Sequence, residues 1–320
     1  MWSDFCAEAG QLRDAHAQAG NADGNHLSVY LESLLLLMQR YLWCIPSAYY
    51  KAAPDVSLFD HSRMTGALAA VLAGCAPAAL TALTASKLEQ NETPVALLVG
   101  GDLSGVQDFI YTITSRGATP GLRGRSFYLQ MLVEAAARLI LRRLDLPMTN
   151  LVYAGGGNFY LLARPGDANA LIEIQREISR ALYRHHRGRR LARAKQRRFV
   201  ELGDEVCKLF VGEGRGGSER QECQVTGLEH PDVALDNGVR KSPAVMSYEA
   251  TGDALRRARY LALSLFEPRP AARELGDCHE ALSELGLDFA LAEAWRDVPA
   301  PQAKSAQVVL ALDDDGASEL

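Results

Sequence analysis

The sequence predicts an α+β protein in three parts: a helical stretch over residues 1–88, a strand-bearing unit over 89–200, and a mostly helical part over 201–320. Three observations predict it. Apolar residues recur at helical spacing through 27–43, LSVYLESLLLLMQRYLW. The texture changes after Pro94, where the short apolar run VALLV meets glycines and an acid in GGDL. Two further apolar runs, TNLVY and FYLLA, are joined by AGGGN, the glycine-plus-asparagine chemistry of a hairpin.

Composition agrees with this class. At 320 residues, 48% hydrophobic and 23% charged, the chain has room for two or three ordinary cores and the balance of a globular protein. No run approaches the ~18 uninterrupted apolar residues of a membrane span. The N-terminus MWSDFCAEAG has neither a basic start nor an apolar signal core, so the expected location is cytoplasmic. Six cysteines, at 6, 44, 75, 207, 223 and 278, are scattered singly, which fits reduced thiols better than a disulfide framework. The net charge is -5, yet Arg180 to Arg198, RALYRHHRGRRLARAKQRR, is strongly basic. Such a run is either a solvated helix face or a local attractor of phosphate.

In order, 27–43 is a broad, buried helix, and the prolines and serines of CIPSAYYKAAPDVS break it. LFDHSRMTGALAAVLAG follows as a helix with small residues for close packing and Gly74 to end it. VALLVGGDL is a short buried strand, SGVQDFIYTIT a helix start, and SRGATPGLRGRS a glycine-rich connection. A long helix is predicted from about Ser126 to Leu144, with Pro147 beyond it. The order strand, helix, strand, strand opens a ferredoxin-like unit. A helical stretch then carries the basic run to about Phe210, and VGEGRGGSERQ reads as a linker. The remainder reads as mostly helical, GDALRRARYLALSLF being the clearest case, until one strand and an acidic tail in AQVVLALDDDGASEL.

Asp102 falls just past the first strand, where a carboxylate can hold a divalent metal beside a nucleoside triphosphate. Ser104 and Gly105 open the next helix, where amides and a hydroxyl can meet a phosphate. The alternative is a simple cap, Asp102 or Ser104 satisfying the free amides of the first turn.

The combination GDLSGVQDFIYTITSRGATPGLRGRSFYLQMLVE followed by LPMTNLVYAGGGNFYLLA resembles the first palm domain of the large subunit of type III CRISPR effector complexes, the Csm-type branch of the Cas-ten family. Upstream, YLWCIPSAYYKAAPDVSLFDHSRMTGALAA resembles the end of that family's HD nuclease domain; downstream, AKQRRFVEL, ECQVTG and LRRARYLALSLF resemble its connecting domain. The resemblance covers most of residues 27–265. It implies two facing palms that join ATP into cyclic oligoadenylate when target RNA is bound, with magnesium or manganese, and an HD domain that cuts single-stranded DNA. On this sequence it implies that Asp102, Ser104, Gly105 and Gln107 lie beside ATP, and that Arg123 and Arg125 neutralise phosphate or fix the glycine-rich connection. Gly155, Gly156, Gly157 and Asn158 form the hairpin where the second palm carries GGDD. Asp60 and His61 are remnants of the HD metal site, a carboxylate and an imidazole side by side. The partners implied are the other effector subunits, guide RNA, target RNA, single-stranded DNA and a separate GGDD palm polypeptide, with no membrane.

Four departures qualify the resemblance. The His-Asp dipeptide is missing, so the sequence reads as starting partway into the HD domain. Of the two C-x-x-C pairs that hold zinc in many relatives, only Cys223 remains; Thr226, Ser242 and Val245 stand at the other places, which argues against zinc. The last strand of the palm is expected to be absent. No GGDD occurs anywhere, and Asp313 to Asp315 in the tail are no substitute. The sequence therefore supports an incomplete nucleotidyltransferase and nuclease subunit. The alternatives are a non-catalytic scaffold of the same complex and an unrelated nucleotide-binding regulator.

Overall fold

A computed structural model of the chain describes residues 1–19, 24–48, 55–75, 80–81, 95–103, 105–113, 118–186, 221–227, 229–230, 232–270, 276–301 and 305–313. Ser104, Cys207, the basic residues 187–198, the linker at 211–220 and the tail from 314 lie outside the described residues.

Three helices come first: α1 (Trp2–Ala19), α2 (Gly24–Leu42) and α3 (Leu58–Leu72). The pairing of Phe5 with Tyr41, Glu8 with Arg40 and His16 with Tyr30 sets α1 and α2 antiparallel. Ser57 caps α3, its Oγ accepting from the Asp60 amide at 2.9 Å. Gly74 falls in the turn after α3, as the sequence predicts.

The middle of the chain builds β1 (Leu97–Asp102), the short α4 (Val106–Ile110), the long α5 (Ala118–Arg143), β2 (Leu151–Gly155), β3 (Asn158–Ala163) and α6 (Ala168–His185). The strands pair antiparallel in the order β1-β3-β2. Gly156 and Gly157 turn the hairpin with φ of 61° and 90°, a backbone open to glycine and closed to most other residues. Alternation explains the paired glycines of β1. Gly101 lies opposite Phe159 on the inner face, where an added Cβ would run into the ring; Gly100 lies opposite Tyr160 on the outer face, where it would come within 3.2 Å of that ring.

The glycine-rich connection expected at 115–126 is corrected, because α5 already begins at Ala118. Gly121 and Gly124 are therefore inside a helix, and the reason is packing. α5 crosses α7 (Pro243–Ala254) so closely that a Cβ on Gly124 would strike the Tyr248 carbonyl, and one on Gly252 the Pro120 carbonyl. Glycine lowers helix propensity by roughly 1 kcal/mol, a cost outweighed here by the backbone approach it allows.

The C-terminal part is mixed, which corrects the expectation of mostly helix. β4 (Gln221–Glu222) pairs with β5 (Glu229–His230), and β6 (Ala234–Asp236) with β7 (Val239–Lys241). The run 252–266 divides. α7 ends at Ala254 and Tyr260–Leu265 is β8, the middle strand of a sheet ordered β10-β8-β9, with β9 at Leu287–Ala292 and β10 at Ala306–Ala311. Tyr260, Leu261, Ala262 and Leu263 are all buried, so this strand shows no polar alternation, and a short apolar run cannot be told from a helix by periodicity. The short α8 (Cys278–Ser283) precedes β9.

α5 joins the two sheets. Val133, Ala137 and Ile140 pack with Phe159 and Leu161 of the first and with Ile174 of α6; Tyr128, Leu132, Ala135 and Leu139 pack on the other side with Leu261 and Phe289 of the second, Tyr248 of α7 and Leu282. A helix apolar around its whole circumference is a helix buried between layers. Arg138, on the same helix, reaches Glu32 of α2 through both terminal nitrogens and Glu134 through Nε at 2.6 Å, all three largely buried. Among the described residues, no helix is long and apolar enough to cross a membrane.

Candidate functional site

The first sheet has one packed face and one open face. Strand alternation sends Leu97, Val99, Phe159 and Leu161 into the core and leaves the other set outside. On the open face, register aligns two rows across β2, β3 and β1: Tyr153, Tyr160 and Gly100, then Gly155, Asn158 and Asp102. α3 covers the far end of this face, where Ala67 and Val71 pack on Leu162 with Val152 and Ala96. The end nearer the hairpin stays open, and Asp102 is exposed there.

Asp102 leads into the turn that opens α4. Gly105 takes φ 84° in front of that helix, a conformation that suits glycine. The hairpin docks on this corner: the Leu103 amide donates to the Gly157 carbonyl at 2.8 Å, and a Cβ on Gly157 would meet Val106 at 2.9 Å. Asp102, Gly105 and Gly155 to Asn158, predicted from separate motifs, are therefore brought together. Gln107 is exposed on α4, and Asn158 donates its side-chain amide to the Gly156 carbonyl at 3.5 Å.

The two arginines sit apart from the open face. Arg125 is 3% exposed, its Nη1 donating to the Phe109 carbonyl at 3.1 Å and its guanidinium centre lying 4.9 Å from the Phe109 ring and 5.0 Å from that of Tyr248. Burial pushes its pKa below the usual guanidinium value, with Tyr248 partly opposing. Arg123 donates to the Gly252 carbonyl at 2.6 Å. Both side chains fix α4 and α5 against α7. Tyr128 closes the same box, its hydroxyl 2.7 Å from Nε2 of His186 at the end of α6.

Comparison with known proteins bears on this segment. Residues 95–200 match the family described as Csm1 subunit domain B. Over this stretch the chain is similar to Csm1 proteins. A single-strand-specific deoxyribonuclease Cas10/Csm1 of the subtype III-A CRISPR system from Methanocaldococcus jannaschii is 41% identical over 178 residues, 48% of this chain and 22% of that protein. Its counterpart from Mycobacterium tuberculosis is 44% identical over 139 residues, 42% of this chain and 17% of that protein. A solved Csm1–Csm4 cassette in complex with pppApA covers 50% of this chain and 21% of its own, at 34% identity and a TM-score of 0.42. The matched segment spans about a fifth of the length of these relatives.

Outside residues 95–200, the predicted metal residues do not converge. Asp60 accepts from Ser57 and pairs with Arg63 at 3.2 Å, while the neighbouring His61 is exposed. Cys223 is fully buried with its sulfur accepting from the Ser242 amide at 3.3 Å. Burial alone would raise this thiol, but hydrogen bonds from Thr226, Ser242 and Val225 outweigh it and hold the pKa below the usual range. Thr226 and Ser242 therefore do stand at the sulfur, as donors and not as ligands. Among the described residues no group of three or more His, Cys, Asp or Glu is placed to hold a metal ion.

Sequence reasoning missed Tyr153 and Tyr160. The signal was present, because a two-residue hairpin turn at Gly156 and Gly157 pairs Gly155 with Asn158, Ala154 with Phe159 and Tyr153 with Tyr160 in regular register.

Proposed function

We propose that this chain supplies one nucleotide-binding palm of a type III-A effector large subunit, and that catalysis requires a second, carboxylate-bearing palm. The observation that carries this reading is the docking of the hairpin at Gly157 onto the corner beside the exposed Asp102, on a Csm1-type segment. In this reading β1, α4–α5, β2, β3 and α6 form a ferredoxin-like palm, residues 1–88 are an HD-like remnant, and ATP lies at Asp102, Ser104, Gly105 and Gln107. The nuclease of the relatives is not carried over, since Asp60 is engaged by Ser57 and Arg63. The other effector subunits, guide RNA and target RNA are the partners. A scaffold without catalysis is the second reading, favoured by Asp102 being the only acid of the corner row.

Calorimetry with ATP and magnesium or manganese tests the proposal, with the chain alone and with a GGDD palm polypeptide added. Binding that tightens in the mixture, with cyclic oligoadenylate formed only there, is the expected result. Asp102→Ala should weaken ATP binding about tenfold, equivalent to about 1.4 kcal/mol, with the fold intact by circular dichroism. Equal binding by parent and variant would sink the site assignment.

A further inference from the structure

The open face carries aromatic rings that nothing in the fold requires to be exposed. Tyr153 and Tyr160 are direct cross-strand partners, 53% and 45% exposed, with ring centroids 6.4 Å apart. Each covers a glycine. The Tyr160 ring lies over Gly100 of the next strand, and the Tyr153 hydroxyl and ring tip reach over Gly155, where an added Cβ would sit 3.0 Å from the oxygen. No side chain projects from either glycine, and the two rings, tilted 40° to each other, are each about half exposed.

We propose that Tyr153 and Tyr160 form the base-stacking platform for a purine ribonucleotide, which rests on the reading of this face as a nucleotide site. Three features on the same face favour that occupant. Exposed tyrosines on adjacent strands of an antiparallel sheet offer π faces on which bases stack without regard to sequence. The next row on the same face lies two residues along the strands, about 7 Å away, and holds Asn158 and Asp102. A base on the tyrosine row directs its ribose toward that second row, where the carboxylate accepts from the ribose hydroxyls. Aromatic row, then carboxylate and amide row, repeats the order base, then sugar.

The test uses ATP and inorganic tripolyphosphate as separate probes, titrated into the parent, a Tyr153→Leu/Tyr160→Leu variant and a Tyr153→Phe/Tyr160→Phe variant. Leucine still covers the glycines, and circular dichroism and thermal melts check that each variant folds. The leucine variant should lose at least tenfold in ATP affinity and less than twofold for tripolyphosphate, while the phenylalanine variant retains parental binding of both. ATP binding by the leucine variant at parental strength overturns the platform and leaves the nucleotide site standing. Loss of both probes together also overturns it, because the rings would then be supporting the fold of the site. A folded parent that binds neither probe overturns the nucleotide site itself, and the platform with it.

Discussion

Replacing Glu32 with alanine should destabilise the protein by about 3 kcal/mol. Glu32 of α2 and Arg138 of α5 have side chains only 8% and 9% exposed, and Arg138 engages Glu32 through both terminal nitrogens. Burial alone would push the guanidinium pKa down; Glu32 and then Glu134 outweigh it and keep Arg138 charged. Breaking a buried pair by removing one partner costs about 3–5 kcal/mol, because the remaining charge is left in a poor solvent. Glu134 still holds Nε at 2.6 Å, which places the loss at the lower end of that range. With a urea slope of about 3 kcal/mol/M, the midpoint should fall by about 1 M. Urea titration followed by circular dichroism reads this directly. The double variant Glu32→Leu/Arg138→Met should recover most of the loss, since an apolar pair of similar volume removes the stranded charge. A loss below about 1 kcal/mol for Glu32→Ala would show that solvent reaches Arg138 and that the docking of α2 on α5 is looser than described.

Two more outcomes follow from the same structure. Gly124→Ala should cost about 3 kcal/mol or more, because its Cβ would strike the Tyr248 carbonyl at the α5–α7 crossing; an unchanged thermal midpoint would refute the close approach. His279 sits with Nδ1 2.6 Å from Asp288, and that hydrogen bond, followed by one involving Cys278, raises its pKa to about 10 from an unfolded value near 6.5. Its folded pKa being the higher, its contribution is fully present below about pH 6.5 and is lost progressively as pH rises toward 10. Half-exposure of the imidazole tempers the size. Urea midpoints of the parent and Asp288→Asn should converge as pH rises across this window, and a constant difference would contradict the assignment.

What was legible in the sequence, and what was not, divides along local and non-local physics. The hairpin at Gly156–Gly157 and the strand ending at Asp102 were legible because turn chemistry and short apolar runs are written in neighbouring residues. The start of α5 was misread because Gly121 and Gly124 carry loop propensity locally, and only α7, more than a hundred residues later, explains their place in a helix. β8 was misread for a related reason: a strand paired on both edges and covered on both faces has no polar alternation to betray it. At the site, glycines and acids were found from motif; Tyr153 and Tyr160 were equally legible, since counting back from the two-residue turn pairs them, and were missed because the register was not carried along the strands.

That division bears on how the corner is held. The motif GDLSGVQDF reads as a self-contained strand-to-helix turn, yet α4 is only five residues long and makes too few internal hydrogen bonds to persist alone. Its Phe109 is held from three directions instead. Its ring lies 5.9 Å from Tyr128 of α5, 5.5 Å from Tyr248 of α7 and 5.8 Å from His186 at the end of α6, and its carbonyl accepts from Arg125. The residues that place Asp102 and Gly105 against the hairpin are thus supplied largely from outside the motif, and Tyr248 from beyond the segment at 95–200 that matches the family model. A segment cut at residue 200 would keep every residue of the motif and lose one wall of the box that orients it. The folding unit of this corner therefore includes α7, which packs on α5 at Gly124 and Gly252.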